Sequence, residues 1–380
     1  MSPTGEGPLG VYVHVPFCEA KCTYCHFAID PRRPDPERQE RYLRAVLAEM
    51  AGSEAGEADT LYFGGGTPSL MAAPRLQRLV EEARSRFHLP PGAEVTVEAN
   101  PRDLDADGYR ALTAAGASRL SLGVQSLDDG VLQEMGRHHT ASDSVQALRL
   151  ARSAGFGNVS LDLVLGWPGE TGERWERGLD GLLAVEPDHV SLYVLEVEGR
   201  TVLAHRQRQG RLELPDDDRI ADLYLETVDR LGVAGLERYE ISNFARSGFA
   251  SRHNRKYWED SPFVGFGMSA HSLRGGRRWW NLDRYATYCR AVEEGRGAVE
   301  GERELSTRER AQEALFTGLR LTEGVDLAAF RRRYKMDPSV EWRAPLDEVE
   351  QAGLVETAGG RLRLTDRGML LSNEVFRIFV

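Results

Sequence analysis

The sequence predicts an α/β fold, an open and partial (β/α)6 barrel followed by a C-terminal winged-helix-like α+β domain. Six apolar, β-branched runs recur in the first half of the chain, separated by amphipathic segments with the period of surface helices. Alternating strands and helices form right-handed βαβ units and hence a parallel sheet. Six such units are too few for a closed eight-stranded barrel, so a partial barrel is predicted.

The elements of the predicted barrel are short strands and longer amphipathic helices. The strands are rich in valine and leucine, and each helix has one apolar face. The predicted strands are Val11–Val15, Thr60–Phe63, Glu94–Val97, Arg119–Val124, Val159–Leu165 and His189–Leu195, and the predicted helices include Arg38–Met50, Pro74–Phe87, Asp105–Ala115 and Ala141–Ala154.

Length and charge limit the class of protein. A chain of 380 residues has room for two or three domains. Its formal net charge of -11 argues against nucleic acid or anionic lipid as the main partner. The N-terminal segment MSPTGEGPLG has no basic or apolar region typical of an export signal, and no apolar run is long enough for an integral membrane segment. We therefore expect a soluble cytoplasmic protein.

Three of the four cysteines, Cys18, Cys22 and Cys25, fall close together after the first predicted strand. Three thiols cannot all pair as disulfides, but they can bind three irons of a [4Fe–4S] cluster and leave the fourth iron open. A zinc site is the alternative, with His14 or His26 as a further ligand. Zinc ligands usually come as two pairs, and no second pair follows downstream, which favours the cluster.

The C-x3-C-x2-C spacing after a strand, with Tyr24 before the last cysteine, resembles the radical S-adenosylmethionine (SAM) superfamily. The resemblance implies a [4Fe–4S] cluster whose open iron is chelated by the amino and carboxylate groups of SAM. The matching stretch of that superfamily places the segment 64–68, GGGTP, against the amino end of SAM.

Polar residues mark the carboxyl ends of the predicted strands. Gly64–Pro68 follow the second strand, Glu98 ends the third, Gln125 ends the fourth, and Asp162 lies within the fifth. In barrels of this type, ligands bind at the carboxyl ends of the strands. These residues are therefore expected to line one rim of the barrel.

Each of these residues has an ordinary explanation as well as a functional one. Three glycines can form a tight turn, or they can bring backbone N–H groups to a ligand. Glu98 can be a plain strand-end carboxylate or accept hydrogen bonds from ribose hydroxyls. Asp162 in an apolar strand is costly unless it is paired or faces a polar cavity, and Arg137 is a candidate partner for it or for a ligand carboxylate.

Five segments together resemble the oxygen-independent coproporphyrinogen oxidase family of radical-SAM proteins. They are YVHVPFCEAKCTYCHF, LYFGGGTPS, EVTVEANP, SLGVQSLDD and SLDLVLGWPGET, and the likeness covers nearly the whole chain. The resemblance implies that the cluster ligands are Cys18, Cys22 and Cys25, and that the residues contacting SAM are Tyr12, Tyr24, Gly65, Gly66, Thr67, Glu98, Gln125, Arg137 and Asp162.

Two branches of that family have to be distinguished, the oxidase and the heme chaperones of the HemW type. The oxidase carries an extra cysteine where this chain has Phe27, and an N-terminal extension before its first strand, which here begins near Val11. Both features favour the chaperone branch. His26 departs from the aspartate that the chaperones usually carry there.

The segment 237–272 is rich in aromatic residues and interrupts the strand–helix alternation. His253-Asn254 and Tyr257-Trp258 match the HNxxYW motif of the HemW-type chaperones, which the resemblance assigns to heme binding, with His253 as the iron ligand. A neutral imidazole is a natural axial ligand of heme iron, and aromatic rings suit a flat macrocycle. Without the resemblance, His253 would be an ordinary loop histidine.

Three domains are predicted: residues 1–235 as the radical SAM core, 236–305 as the central segment with the heme motif, and 306–380 as the winged-helix-like domain. A winged helix raises DNA binding as a rival function. The helix that would read DNA carries three carboxylates that would repel phosphate, so nucleic acid is not expected as a partner. The elements predicted there are Arg308–Leu321, Asp326–Tyr334, Arg343–Ala352, Leu354–Thr357 and Arg361–Leu364, and the three carboxylates are Asp347, Glu348 and Glu350.

Three functional hypotheses follow. The first is a heme chaperone with a cluster and SAM, which binds heme and passes it to an acceptor protein, with an electron donor such as a flavodoxin or ferredoxin. The second is a radical enzyme that decarboxylates a porphyrinogen, in which the cluster reduces and cleaves SAM. The third is a zinc-containing regulator. The first is favoured, and no catalytic residue is assigned.

Overall fold

The computed structural model describes residues 7–30, 32, 35–197 and 199–380. Residues 1–6 lie outside these ranges. They belong to the N-terminal segment for which the sequence predicts no export signal. Within the described ranges, one large sheet runs from the first strand to residue 304, and a small sheet lies in the C-terminal part of the chain. No described helix is both long and apolar enough to cross a bilayer.

The large sheet contains twelve strands within the described ranges, in the spatial order β12-β11-β10-β9-β1-β2-β3-β4-β5-β6-β8-β7. The strands are β1 (Leu9–Val15), β2 (Ala58–Gly65), β3 (Glu94–Ala99), β4 (Arg119–Gln125), β5 (Val159–Leu165), β6 (His189–Val194), β7 (Glu237–Glu240), β8 (Asn243–Ala245), β9 (Phe263–Phe266), β10 (His271–Arg274), β11 (Arg277–Asn281) and β12 (Val299–Glu304).

Strands β1 to β6 are the six predicted strands, and each pairs in parallel with the next. The connections between them carry helices, as the βαβ rule requires. The sheet order is linear and the curved sheet stays open, so the prediction of a partial barrel is confirmed. The helices of this part are α1 (Pro36–Gly52), α2 (Ala73–Arg86), α3 (Ala106–Ala114), α4 (Asp129–Met135), α5 (Ala141–Ser153), α6 (Gly172–Leu183), α7 (Val202–Arg208), α8 (Asp217–Val233), α9 (Arg252–Trp258) and α10 (Tyr285–Glu293).

The two faces of the parallel sheet differ in polarity. Every second residue of β1 to β6 is an aliphatic or aromatic side chain packed under the outer helices, such as Val11, Val13 and Phe63, each fully buried. The residues between them point to the concave side, which we call the lumen, and they are mostly polar. Strands of a parallel sheet are usually apolar on both faces, so a polar lumen indicates a space for a polar ligand.

The predicted central segment does not form a separate layer, because its strands extend the same sheet. Strand β9 pairs in parallel with β1, and β10, β11 and β12 continue outward in antiparallel pairs. At the other edge, β8 pairs with β6 and β7 pairs with β8, both antiparallel. The predicted domain boundaries near residues 235 and 305 stay predictions.

The C-terminal part is an α+β unit with its own hydrophobic core, as predicted. Its small sheet has the order β13-β15-β14 within the described residues, and the hairpin of β14 and β15 follows the predicted third helix. The elements are α11 (Thr307–Gly318), β13 (Val325–Asp326), α12 (Leu327–Tyr334), α13 (Pro338–Glu341), α14 (Arg343–Gln351), β14 (Val355–Ala358), β15 (Arg361–Leu364), α15 (Asp366–Leu370) and α16 (Ser372–Phe376).

Candidate functional site

The cysteine loop follows β1 at the carboxyl end of the sheet, where the sequence places it. All three thiols are free and partly buried. The Cys18 Sγ atom lies 3.4 Å from the Thr67 Oγ1 atom, and the Cys25 N–H donates to the Cys22 carbonyl at 3.2 Å. The loop is therefore folded back on itself, with its first thiol against the residue that follows the glycine segment.

The end of α4 holds the middle of the loop. The Thr23 N–H donates to the carbonyl of Met135 at 3.0 Å, and the guanidinium of Arg137 lies 3.6 Å from the Cys22 Sγ atom. Tyr24 packs edge-on against Trp167, and burial raises the pKa of its hydroxyl. The structure thus brings Tyr24 and Arg137 to the cysteines.

The three thiols lie close enough to affect one another without being arranged around a single ion. Burial raises the pKa of Cys18 to about 11, and the neighbouring thiols of Cys25 and Cys22 add to that rise. Among the described residues, no three His, Cys, Asp or Glu side chains are placed to hold one metal ion. A [4Fe–4S] cluster makes a different demand, since each thiolate binds a separate iron, and three partly buried thiols on one loop fit that demand.

The proposed histidine ligands of a zinc site behave differently from the thiols. The Nε2 atom of His14 is 2.7 Å from the Ala28 carbonyl oxygen, and its Nδ1 atom is 3.2 Å from the Tyr12 hydroxyl. Both ring nitrogens of His14 are therefore engaged within the chain, and burial lowers its pKa to about 4. His26 packs beside Phe27, which is largely exposed.

The N–H groups of the glycine segment are engaged within the chain, and the segment packs closely against its neighbours. The Gly65 N–H donates to Glu98, the Gly66 N–H to the Val15 carbonyl, and the Thr67 N–H to the Phe17 carbonyl. A Cβ atom on Gly66 would lie 2.7 to 2.8 Å from backbone atoms of the cysteine loop. Gly66 is therefore required so that this loop can lie directly on the end of β2.

Glu98 lies at the carboxyl end of β3 and faces the lumen. The Tyr62 hydroxyl donates to its Oε1 atom at 2.8 Å and the Gly65 N–H to its Oε2 atom at 3.2 Å. Burial, with the nearby Asp162 carboxylate, raises the pKa of Glu98 to about 7. A carboxylate held at such a cost in a polar cavity is typical of a ligand-binding group.

Asp162 is also in the lumen, but its partners differ from the predicted one. The Ser121 hydroxyl lies 3.0 and 3.1 Å from its two carboxylate oxygens, and the Ser160 hydroxyl lies 3.1 Å from Oδ1. Burial raises its pKa, and the neighbouring hydroxyls and Arg119 oppose that rise. Arg137 does not pair with Asp162, because it follows the end of α4 and is directed toward the cysteine loop.

Arg137 organises the rim between β3 and β4. It donates to the Gly123 carbonyl at 2.6 Å and to the side chain of Asn100, whose amide lies 3.3 Å from Thr67 Oγ1. A Cβ atom on Gly123 would meet the side chains of Gln125 and Arg137, so these two lie side by side. The predicted rim residues are thus brought together, and Asn100 joins them.

The motif of the central segment lies at the opposite end of the lumen. His253 is 1% exposed, its Nδ1 atom is 2.9 Å from Thr60 Oγ1, and its Nε2 atom is 2.9 Å from the Tyr257 hydroxyl. Its ring lies 5.1 Å from that of Tyr62. His253 and Tyr257 therefore form part of a floor at the amino ends of the strands. His253 lies on a helix, and not in the loop that the sequence would indicate without the resemblance.

Helix α9 is anchored so that this floor is closed. The Glu94 carboxylate accepts hydrogen bonds from the N–H groups of Arg252 and His253, and Lys256 forms an ion pair with Asp59 at 2.7 Å. The other two motif residues have different contacts. The Asn254 N–H donates to the Ser251 hydroxyl, and the Trp258 ring packs under the guanidinium of Arg320.

Several lumen residues were missed from the sequence although a signal was present. Along β2, β4, β5 and β6, these polar residues alternate with apolar ones, at every second position. Such alternation is unusual for strands of a parallel sheet. The residues missed in this way are Thr60, Tyr62, Arg119, Ser121, Ser160, His189, Ser191 and Tyr193.

Comparisons with known proteins agree with this arrangement. The family model described as the radical SAM superfamily matches residues 12–180, and that of the HemN C-terminal domain matches residues 305–371. The heme chaperone HemW of Bacillus subtilis (strain 168) is 36% identical over 375 residues, which cover 97% of this chain and 98% of that protein. The chain belongs to the HemW family.

Other relatives extend this result. The heme chaperone HemW of Mycobacterium tuberculosis (strain ATCC 25618 / H37Rv) is 38% identical over 383 residues, covering 99% of this chain and 96% of that protein. Among solved structures, coproporphyrinogen III oxidase (HemN) from Escherichia coli, a radical SAM enzyme, matches with a TM-score of 0.86 and 24% identity over 98% of this chain and 90% of that one. The HemW family thus shares the HemN fold.

Proposed function

We propose that this member of the HemW family is a heme chaperone that carries a [4Fe–4S] cluster, binds SAM and heme, and transfers heme to an acceptor protein. The observation that carries the proposal is the polar lumen with different chemistry at its two ends. Three free thiols lie at the rim, and the imidazole of His253 lies in the floor. We further propose that the protein acts in the cytoplasm and that it receives electrons from a donor such as a flavodoxin or ferredoxin.

Cys18, Cys22 and Cys25 would hold the cluster. Bound there, a [4Fe–4S] cluster supplies one-electron chemistry and an iron without a protein ligand. The chain's own contribution is to fix the loop, through the hydrogen bond from Thr23 to Met135 and through the packing of Gly66. The guanidinium of Arg137 beside Cys22 would favour negatively charged sulfur.

The rim residues would bind SAM. Glu98 offers carboxylate oxygens to ribose hydroxyls, and the nearby Gln125 and Arg137 offer amide and guanidinium donors to a carboxylate. Tyr12 and Asp162 face the lumen beneath them. Gly65, Gly66 and Thr67 would shape the site, because their close packing brings the cysteine loop to this end of the sheet.

His253 would bind the heme iron. Burial lowers its pKa to about 3, so the imidazole is neutral, which is the form that binds metals. In the tautomer protonated at Nδ1, the Nδ1–H group donates a hydrogen bond to Thr60 Oγ1, and the lone pair of Nε2 faces the Tyr257 hydroxyl. Binding of iron at Nε2 would therefore have to displace that hydroxyl.

Heme titration tests the proposal directly. Wild-type protein, prepared without oxygen, is compared with His253→Ala and Tyr257→Phe by the Soret band. We expect His253→Ala to lose the band of a histidine-bound heme. Tyr257→Phe should bind heme about 2- to 10-fold more tightly, because the hydrogen bond between the Tyr257 hydroxyl and Nε2 no longer competes with iron for that nitrogen.

Other outcomes would contradict the proposal. An unchanged Soret band in His253→Ala would remove His253 as the ligand. Release of carbon dioxide and 5′-deoxyadenosine from coproporphyrinogen would favour the oxidase, and zinc in place of iron at the cysteines would favour the regulator. The variant Tyr334→Phe, whose hydroxyl contacts Asp260 in the C-terminal part, is the matched control and should leave heme binding unchanged.

A further inference from the structure

Arg119 is a buried cation in the lumen that the functions above do not use. It begins β4, is 2% exposed, and is among the largest fully buried side chains. Its Nε atom is shielded from solvent and has no hydrogen-bond partner among the residues that the structure describes. A buried charge is costly unless an opposite charge and hydrogen bonds compensate it, so an acceptor at the Nε–H group of Arg119 would lower that cost.

A second unpaired group lies beside Arg119. Thr96 of β3 is opposite Arg119 in the register of the two strands, and it is fully buried. Within the described part of the chain, its hydroxyl oxygen also has no hydrogen-bond partner. Two unpaired donors therefore occupy the same level of neighbouring strands, which is the arrangement expected of a subsite rather than of an isolated packing defect.

The carboxylates of the lumen do not meet this need. Glu98 is hydrogen-bonded by Tyr62 and Gly65, and Asp162 by serine hydroxyls. Among the described residues, neither forms an ion pair with Arg119.

The guanidinium is nevertheless close enough to act on the charged groups around it. Burial raises the pKa of Glu98 and Asp162, and the charge of Arg119 opposes that rise; burial lowers the pKa of His189 and His253, and Arg119 adds to that fall. In the strand register Arg119 is level with Thr96 and Tyr62, between Glu98 on the rim side and Glu94 at the floor. Tyr62 and Tyr239 are the other titratable groups facing it. Arg119 thus lies between the rim and the floor.

We propose that Arg119 and Thr96 form a carboxylate-binding subsite for a small molecule held in the lumen. A guanidinium binds a carboxylate through two parallel hydrogen bonds, and the threonine hydroxyl can donate a further one. This inference rests on the proposed function: the carboxylate is one of those on the side chains of heme, since Arg119 is level with Tyr62, whose ring lies 5.1 Å from that of His253 in the floor. The subsite would orient heme relative to the imidazole.

Titration with hemin and with hemin dimethyl ester tests this subsite. The two probes share the ring and the iron, but only hemin has free carboxylates. We expect full-length wild-type protein, reconstituted without oxygen, to prefer hemin by about tenfold or more. In Arg119→Gln the preference should fall to within about twofold, because hemin binds more weakly while the ester is unaffected.

Controls separate this inference from a folding defect and from the proposed function. Arg119→Lys keeps the charge but cannot form two parallel hydrogen bonds, so its preference for hemin over the ester should be intermediate. Arg149→Gln, on the exposed face of α5, should match wild type. Urea unfolding and SAM binding are measured for each variant. Equal preference in wild type and Arg119→Gln, or a loss confined to SAM binding, would overturn the subsite alone. Wild-type protein that binds neither probe would overturn the proposed function with it.

Discussion

The rim and the floor of the lumen are built in opposite ways. At the rim, the thiols of Cys18, Cys22 and Cys25 are partly exposed and have only weak contacts within the chain. At the floor, both nitrogens of His253 are hydrogen-bonded and Glu94 holds the start of α9. The cofactor proposed for the rim would therefore displace few contacts within the chain, whereas the ligand proposed for His253 would have to replace existing hydrogen bonds.

The largest effect is expected at the rim, from Gly66→Ala. The new Cβ atom would lie within 2.8 Å of backbone atoms of Val15, Pro16 and Phe17, which cannot rotate away. We expect the cysteine loop to shift, the free energy of unfolding to fall by about 3 kcal/mol, and iron content to drop from about four to below two per chain. Iron analysis and urea unfolding measure these effects.

Gly157→Ala is the matched control for this substitution. No atom outside its neighbours lies within 4 Å of the Cβ position at Gly157. This variant should keep its iron and its stability. Full iron content in Gly66→Ala would show that the loop does not need its close approach to β2.

The next effect concerns Glu98 and depends on pH. Because burial raises its pKa to about 7, folded protein keeps this proton where unfolded protein has released it. The resulting stabilisation is complete below about pH 4 and is lost as pH rises through about 7. Glu98→Gln stays neutral, so we expect it to be more stable than wild type by about 2 to 3 kcal/mol at high pH, and similar at low pH.

Urea unfolding of the apoprotein across pH checks this expectation. The exposed Glu81, which accepts one hydrogen bond from Gln77, provides the control Glu81→Gln. A constant difference between Glu98→Gln and wild type would mean that the carboxyl group of Glu98 does not titrate differently in the folded state.

A smaller effect is expected at the floor from Glu94→Gln. The carboxylate accepts from the Arg252 and His253 N–H groups at 3.0 and 2.9 Å and is nearly buried. Losing the charge should cost about 2 kcal/mol and should speed amide hydrogen exchange in α9. Heme should bind more tightly to this variant where opening of α9 limits access to His253. Amide hydrogen exchange in α9 as slow as in wild type would argue against Glu94 as the anchor of the helix.

The smallest effect is expected from Asp128→Asn, which acts on the rim indirectly. Asp128 caps α4 and forms two hydrogen bonds with Arg174, which lower its pKa to about 2. Asparagine keeps the cap but loses the ion pair, so we expect a loss of about 0.5 to 1 kcal/mol with little change in iron content. Thermal unfolding measures it, with Asp107→Asn in an exposed pair as the control. A marked loss of iron would give the ion pair a larger role in positioning α4.

The six strands and the thiol loop were predictable because their signals are local. Strands such as Val159–Leu165 and Arg361–Leu364 have the predicted bounds, since β-branched runs and turn residues define them without reference to the rest of the chain. The rim residues were predictable too, because the carboxyl ends of parallel strands meet at one edge.

The sequence by itself determined the fold class, the cysteine loop and the residues at the rim, all of which follow from short-range periodicity and spacing. Only the tertiary structure decided that His253 is in the floor of the same lumen, because β9 returns to pair with β1 and carries α9 beneath the sheet. It also decided that the Nε atom of Arg119 has no partner among the described residues, since the absence of a partner depends on every strand around it. Contacts between distant parts of a chain depend on the order in which the strands pair, which no local pattern encodes.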